Sequence, residues 1–153
     1  MPFLLIVIIA LALIFDFLNG FHDSSNIVAT MISSRAMSPR NALLMSAVAH
    51  FVGPFLFGVA VATTIGSEVV DPAAITSLVI IAALTSAIVW NVFTWYSGWP
   101  SSTSHALIGG LVGAVTVAVG VSAIHPDGLM KVLIALFLSP ILGLVIGYLM
   151  LKL

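Results

Sequence analysis

Asp16, Asn19, Asp23, Asn26, Thr30 and Ser33 follow one another at steps of three, four, three, four and three. On a helix of 3.6 residues per turn they share one face, within roughly a 100° arc. The opposite face is Ile, Leu, Val, Ala and Met. Two carboxylates, two amides and hydroxyls thus present oxygen from a segment otherwise made of hydrocarbon. Charged groups at membrane depth are costly and face a cavity, a partner or an ion pathway. Oxygen donors of this kind suit a hard cation. The stripe reads as one wall of a hydrated ion and substrate site, with Asp23, Asn26, Asn19 and Asp16 as its cation-binding candidates. The plainer alternative is a helix–helix seam held by polar contacts. Amides alone could make such a seam, whereas two carboxylates could not do so cheaply.

A second group, Ser101-Ser102-Thr103-Ser104-His105, follows Pro100 and precedes Ala-Leu-Ile-Gly-Gly-Leu-Val-Gly. Proline stops one helix and the hydroxyl run caps the next. A helix start offers free N–H groups and a partial positive charge, so it binds anions without a basic residue. An ordinary cap needs one Ser. Four consecutive hydroxyls point to an anion site at Ser101, Ser102, Thr103 and Ser104. His105 either orients the turn or meets the ligand.

These groups sit in a chain of 153 residues that is 61% hydrophobic and 6% charged. A soluble domain carries about a quarter charged residues, and the mean hydropathy here is +1.30. The composition is that of an all-α integral membrane protein, multi-pass in a plasma or inner membrane. A net charge of -1 gives no footprint for nucleic acid. With no cysteine, no thiolate metal site exists. No resident cofactor or structural metal is expected. The hydrolase motifs G-x-S-x-G and H-E-x-x-H do not occur, so an intramembrane enzyme is disfavoured.

Five apolar stretches, at about 2–33, 41–65, 74–96, 104–121 and 129–151, supply helices in a single transmembrane domain over 1–153. The first would be about 48 Å long as one helix, and Gly20 is a natural place for it to break. Arg35, Ser38-Pro39 and Arg40 mark a helix stop and restart. With Arg35 at an interface, Asp23 lies about 18 Å deep, near the bilayer midplane. The positive-inside rule places that first loop in the cytoplasm, and the loop with Glu68 and Asp71 outside. Five crossings then put Lys152 inside and Lys131 outside; a re-entrant 104–121 stretch would flip the parity after it. Ser46 and His50 share a face of the second stretch, His50 reading as a hydrogen-bonded packing residue. Trp95, Tyr96 and Trp99 suit an interfacial belt. Gly109, Gly110 and Gly113, then Gly143 and Gly147, suit close helix packing.

Asn19-Gly20-Phe21-His22-Asp23-Ser24-Ser25-Asn26, continuing into Val28-Ala29-Thr30, resembles the signature of the inorganic phosphate transporter (PiT) family. Trp99 to Gly110 is similar to that family's second characteristic stretch, and Ser33 to Pro39 matches in order between them. The resemblance implies a secondary transporter built from two inverted halves, each with one signature. It implies phosphate carried with sodium, protons or as a metal–phosphate complex. On this reading Asp23 and Asn26 help bind the coupling cation, while Ser102 and Thr103 with nearby N–H groups hold phosphate. Two departures stand out. Family members often carry Asn where His50 stands, and this chain has one signature. It therefore resembles an N-terminal half, whose expected partners are inorganic phosphate, membrane lipid and a second inverted half. That half would come from the same longer chain, a separate chain or an antiparallel copy. The alternative is a cation transporter or channel that uses the aspartate stripe without phosphate.

Overall fold

The computed structural model describes residues 2–57 and 63–152. The stretch at 58–62, inside the second apolar run, lies outside the described residues. Among the described residues, five α-helices follow in order: α1 Pro2–Ser33, α2 Pro39–Phe57, α3 Ser77–Ser97, α4 Thr103–Ala118 and α5 Pro126–Met150. A π-turn at Thr64–Glu68 and short 3-10 turns at Pro72–Ala74 and Val121–Ala123 join them. Of the described helices, α1, α3 and α5 are long and apolar enough to cross a membrane.

α1 runs unbroken through Gly20, contrary to the expected break. A glycine inside a helix costs about 1 kcal/mol relative to Ala but keeps its N–H and C=O in the ladder. The polar side chains around it also lie quietly on the helix. Ser24 and Ser25 donate to the carbonyls of Phe21 (3.3 Å) and His22 (2.7 Å). The helix ends where Arg35 takes a left-handed conformation, φ 58°. Ser38 then caps α2, its hydroxyl accepting from the Asn41 N–H at 3.4 Å, with Pro39 at the first helical position. This is the stop and restart that the sequence announces. In α2, His50 Nδ1 lies 2.8 Å from the Ser46 carbonyl one turn back, and the residue is exposed.

α1 packs on α2 and on α3, and α3 packs most extensively on α4. α3 starts with Thr76 as cap and ends at Gly98, φ 69°, whose left-handed turn lets Trp99 N–H reach the Thr94 carbonyl at 2.9 Å. α4 has 16 residues, about 24 Å, short of a bilayer core of about 30 Å. Beyond it a clasp forms. Asp71 N–H donates to the Ala123 carbonyl at 2.8 Å and His125 N–H to that of Val69 at 2.9 Å, pairing Val70 with Ile124. The α2–α3 and α4–α5 connections therefore lie on the same side. α3 and α4 form a hairpin that enters and leaves there, while the α1–α2 link with Arg35 and Arg40 lies on the other side. A hairpin adds two half-passages, so α5 keeps the direction expected from five crossings, and Lys131 lies with Glu68.

The buried core sits at the hairpin's base: Val69, Val70, Ala74, Val79, Ala83, Leu111, Val115 and Ala123. Much of α1, α2 and α5 is exposed Leu, Ile, Val and Phe, as suits helices surrounded by hydrocarbon. Among the glycines singled out above, close packing is confined to Gly110, where an added Cβ would lie 2.7 Å from the Ala83 carbonyl oxygen. Gly109, Gly113, Gly143 and Gly147 have open space at that position. Gly128 is tighter still, with the Glu68 carbonyl occupying the place of a side chain. Gly128→Ala should destabilise the fold by about 1–3 kcal/mol, the cost of overpacking against backbone. Gly143→Ala, inside α5 with open space at its Cβ position, should stabilise by up to about 1 kcal/mol. Thermal unfolding of both variants in detergent, followed by tryptophan fluorescence, checks the contrast.

Candidate functional site

The two polar constellations meet. Thr103 Oγ1 donates a hydrogen bond to Asn19 Oδ1, across 84 positions of sequence. Thr103 is buried, with 2% of its surface exposed. Asn19 lies near the middle of α1, about 26 Å from Pro2 and about 21 Å from Ser33 along the axis. The hairpin tip therefore ends against the second half of α1 without reaching that helix's end. Beside this contact is a cavity of about 280 Å³ lined by His22, Ser25 and Asn26 from α1 and by Thr94, Trp95 and Ser101, among others, from the hairpin.

Local chemistry shapes the tip. Ser102 caps α4, its hydroxyl accepting from the His105 N–H at 3.4 Å, while its carbonyl takes the Ala106 N–H at 3.1 Å. The N–H groups of Thr103 and Ser104, at the first two helical positions, remain for a ligand. Trp90 Nε1 donates to the Ser101 hydroxyl at 3.2 Å and orients it. Trp95 meets Phe21 edge-on at 5.8 Å between centroids, and Trp99 meets Phe93 likewise at 5.8 Å. Trp95 and Trp99 line the cavity beside α1, and both rings keep more than half of their surface exposed.

The expected site residues divide among surroundings. Asn19 is joined to Thr103, and Asn26 and Ser101 line the cavity. Asp23 is half-buried, whereas Asp16, Thr30 and Ser33 are exposed. The carboxylate end of the stripe thus lies on the open flank of α1. Ser104 faces elsewhere, into a second groove between the π-turn, α4 and α5. Among the described residues, no group of three or more His, Asp or Glu side chains could hold a metal ion. A cation here would rely on single carboxylates with amide, hydroxyl and carbonyl oxygens.

Two side chains are more prominent in space than in sequence. His22 Nδ1 lies 3.1 Å from the Leu18 carbonyl and so carries the ring proton, because a carbonyl only accepts. His22 Nε2 is buried with no hydrogen-bond partner among the described residues. Asn91, fully buried on α3, has both amide atoms in that state. The row Ala83, Ala87, Asn91 continues the face that meets Gly110, so Asn91 lies level with the start of α4. A buried amide without partners costs about 1–3 kcal/mol, and such groups mark places where a water or ligand belongs. The signal for His22 was available in sequence, three residues after Asn19 on the stripe's own face. Asn91 showed only as the end of an apolar run.

The sequence profile of the phosphate transporter family matches residues 19–153. A Bacillus subtilis protein described as a probable low-affinity inorganic phosphate transporter is 48% identical over 149 residues, spanning 96% of this chain and 44% of the relative. A Streptomyces halstedii protein of the same description is 50% identical over 148 residues, spanning 95% of this chain and 68% of its own length. A solved structure called the sodium-dependent phosphate transporter superposes with a TM-score of 0.84 at 31% identity, covering 99% of this chain and 39% of that one. The chain thus spans less than half the length of the Bacillus relative and of the solved structure. The relatives are transporters and not enzymes. The matched span takes in the first polar stripe from Asn19 onward, the whole of the second, and the described helices from Asn19 in α1 to α5, and the chain belongs to the phosphate transporter family, integral to the membrane.

Proposed function

We propose that this chain forms one wall of a secondary transporter that carries inorganic phosphate together with a cation. The observation that carries the reading is the Thr103–Asn19 hydrogen bond, which joins the hydroxyl-rich helix start to the carboxylate-bearing helix. No Lys or Arg lies near the tip, so a multiply charged anion there needs other neutralisation. The α4 dipole supplies part of it, the free N–H groups of Thr103 and Ser104 more. A co-bound cation at Asp23, with Asn19 and Asn26 one turn to either side, supplies the rest, and Asp16 lies farther along the same face. Each ion lowers the cost of holding the other, which is the physical basis of coupling. Sodium is the cation we favour, because the similar solved structure is a sodium-dependent transporter. Its oxygen-only ligands suit the donors available.

The open flank of α1, with Asp16 and Thr30 exposed, suits a second wall. Transporters of inverted repeats place their site between halves. We infer that activity needs a second inverted half, as a continuation of this chain, a separate chain or an antiparallel copy. Purified chain reconstituted as a cross-link-verified monomer should not take up phosphate, while an assembly with a second half should. Robust uptake by the monomer would show that five helices enclose a complete pathway. Phosphate-independent cation flux would favour a cation transporter instead.

Asp23→Asn keeps the volume but removes the charge a buried cation requires. In the transporting assembly it should abolish cation-dependent uptake and leave membrane insertion intact. Asp16→Asn, about 10 Å farther along α1, should change rate or cation selectivity more than it abolishes uptake. Cation-titrated uptake with both variants tests the assignment.

Ser102→Ala and Thr103→Val should each weaken phosphate affinity by a few-fold to tens of fold, about 1–2 kcal/mol per lost hydrogen bond. Cation binding without phosphate should change less. Radiolabelled phosphate binding measures the first effect and a cation titration the second. Unchanged phosphate affinity in both variants would place the anion elsewhere.

A further inference from the structure

The groove that receives Ser104 has a volume of about 450 Å³ and runs between the π-turn, α4 and α5. Thr64, Lys131, Ser104 and Ser139 line it along with a mostly apolar wall that includes Ile108 and Leu136. Lys131, Ala135 and Ser139 follow one another along α5 at steps of four, a row about 12 Å long. The groove therefore leads from the side of the clasp towards the first turn of α4. Its mouth carries an ion pair, Lys131 Nζ to Glu68 Oε2 at 2.8 Å.

Geometry fixes that pair. The π-turn brings Glu68 against α5, and Gly128 lets the Glu68 backbone approach where any side chain would collide. Lys131 follows one turn later on the same helix. The pair's contribution to stability is small, because both side chains are well exposed, 67% for Lys131 and 43% for Glu68. Its charge matters more. Arg35 and Arg40 belong to the other side and Lys152 lies beyond the far end of α5, so Lys131 is the single basic side chain on this side. Glu68, Asp71 and Asp127 share that side with it. An anion arriving there meets these three carboxylates, with Lys131 as the positive charge set among them.

We propose that the groove is the route by which phosphate reaches the α4 N-terminus from the Glu68 side, and that Lys131, restrained by Glu68, sets the anion's local concentration at its mouth. The inference rests on the phosphate reading given above and adds the path and its electrostatic control. Glu68 neutralises most of the lysine's charge, so the two residues act in opposite directions on a passing anion. Lys131→Gln removes the attraction, whereas Glu68→Gln releases it.

Phosphate and sodium KM are to be measured in a transporting assembly, in right-side-out and inside-out vesicles, at low and high ionic strength. At low ionic strength Lys131→Gln should raise the phosphate KM about three- to tenfold, and Glu68→Gln should lower it by about two- to fivefold. The maximal rate should hold in both. The sodium KM should shift in the opposite sense for each variant. The effects should appear in one vesicle orientation and fade as salt shortens the screening length. A purely structural ion pair predicts otherwise, since both substitutions break the same bond and would shift phosphate KM in the same direction. Shifts of the same sign, or an unchanged phosphate KM in Lys131→Gln at low salt, would overturn the proposal while leaving the phosphate reading intact. If no assembly containing the wild-type chain takes up phosphate, the phosphate reading falls and this inference falls with it.

Discussion

A helix that starts inside a membrane must find partners for its first N–H groups, because hydrocarbon offers none. That constraint governs the hairpin of α3 and α4. Its tip ends partway along α1, so the turn from Gly98 to Ser102 places irregular backbone at depth. The Ser102 cap, the left-handed Gly98 and the Thr103–Asn19 hydrogen bond together let that turn exist there. Such backbone is tolerated only where protein or a polar cavity covers it. α1 supplies the cover, and for that reason its polar face lies where it does.

The same arrangement separates rigid from open regions. The apolar core gathers at the hairpin's base around Val69, Val70 and Val115, and close backbone contacts fall at Gly110 and Gly128. The tip is held by polar groups and aromatic edges instead, with unpartnered atoms on His22 and Asn91 nearby. Densely packed contacts resist rearrangement, whereas a few hydrogen bonds can be exchanged for contacts with a ligand. Anchoring at the base and polar attachment at the tip suits the ion-holding role proposed for this part.

Much of this was legible in residue order. The three–four spacing of the polar stripe exposed α1's special face, and Ser38-Pro39 and Pro100 to Ser102 marked helix boundaries that the structure keeps. Local chemistry suffices for such features, since a cap or a proline acts on its own neighbours. Gly20 misled because propensity disfavours glycine without forbidding it, and α1 has long helix-compatible runs on both sides. The hairpin's return to its own side depends on hydrogen bonds between Val69–Asp71 and Ala123–His125, separated by two helices; no local pattern encodes that pairing. The division of Ser101 to Ser104 between two cavities is hidden for the same reason, since adjacent residues on a helix point some 100° apart.

The clasp between Val70 and Ile124 also bears on how the molecule is made. It closes a loop containing all of α3 and α4, so neither hydrogen bond can form until both helices have been synthesised and have turned back together. Closing a long loop is entropically costly before contacts offset it. Early in synthesis α3 is alone, apolar and long enough to cross by itself. The clasp can close only after Pro100 and the short α4 have emerged, so this pairing depends on chain made after α3.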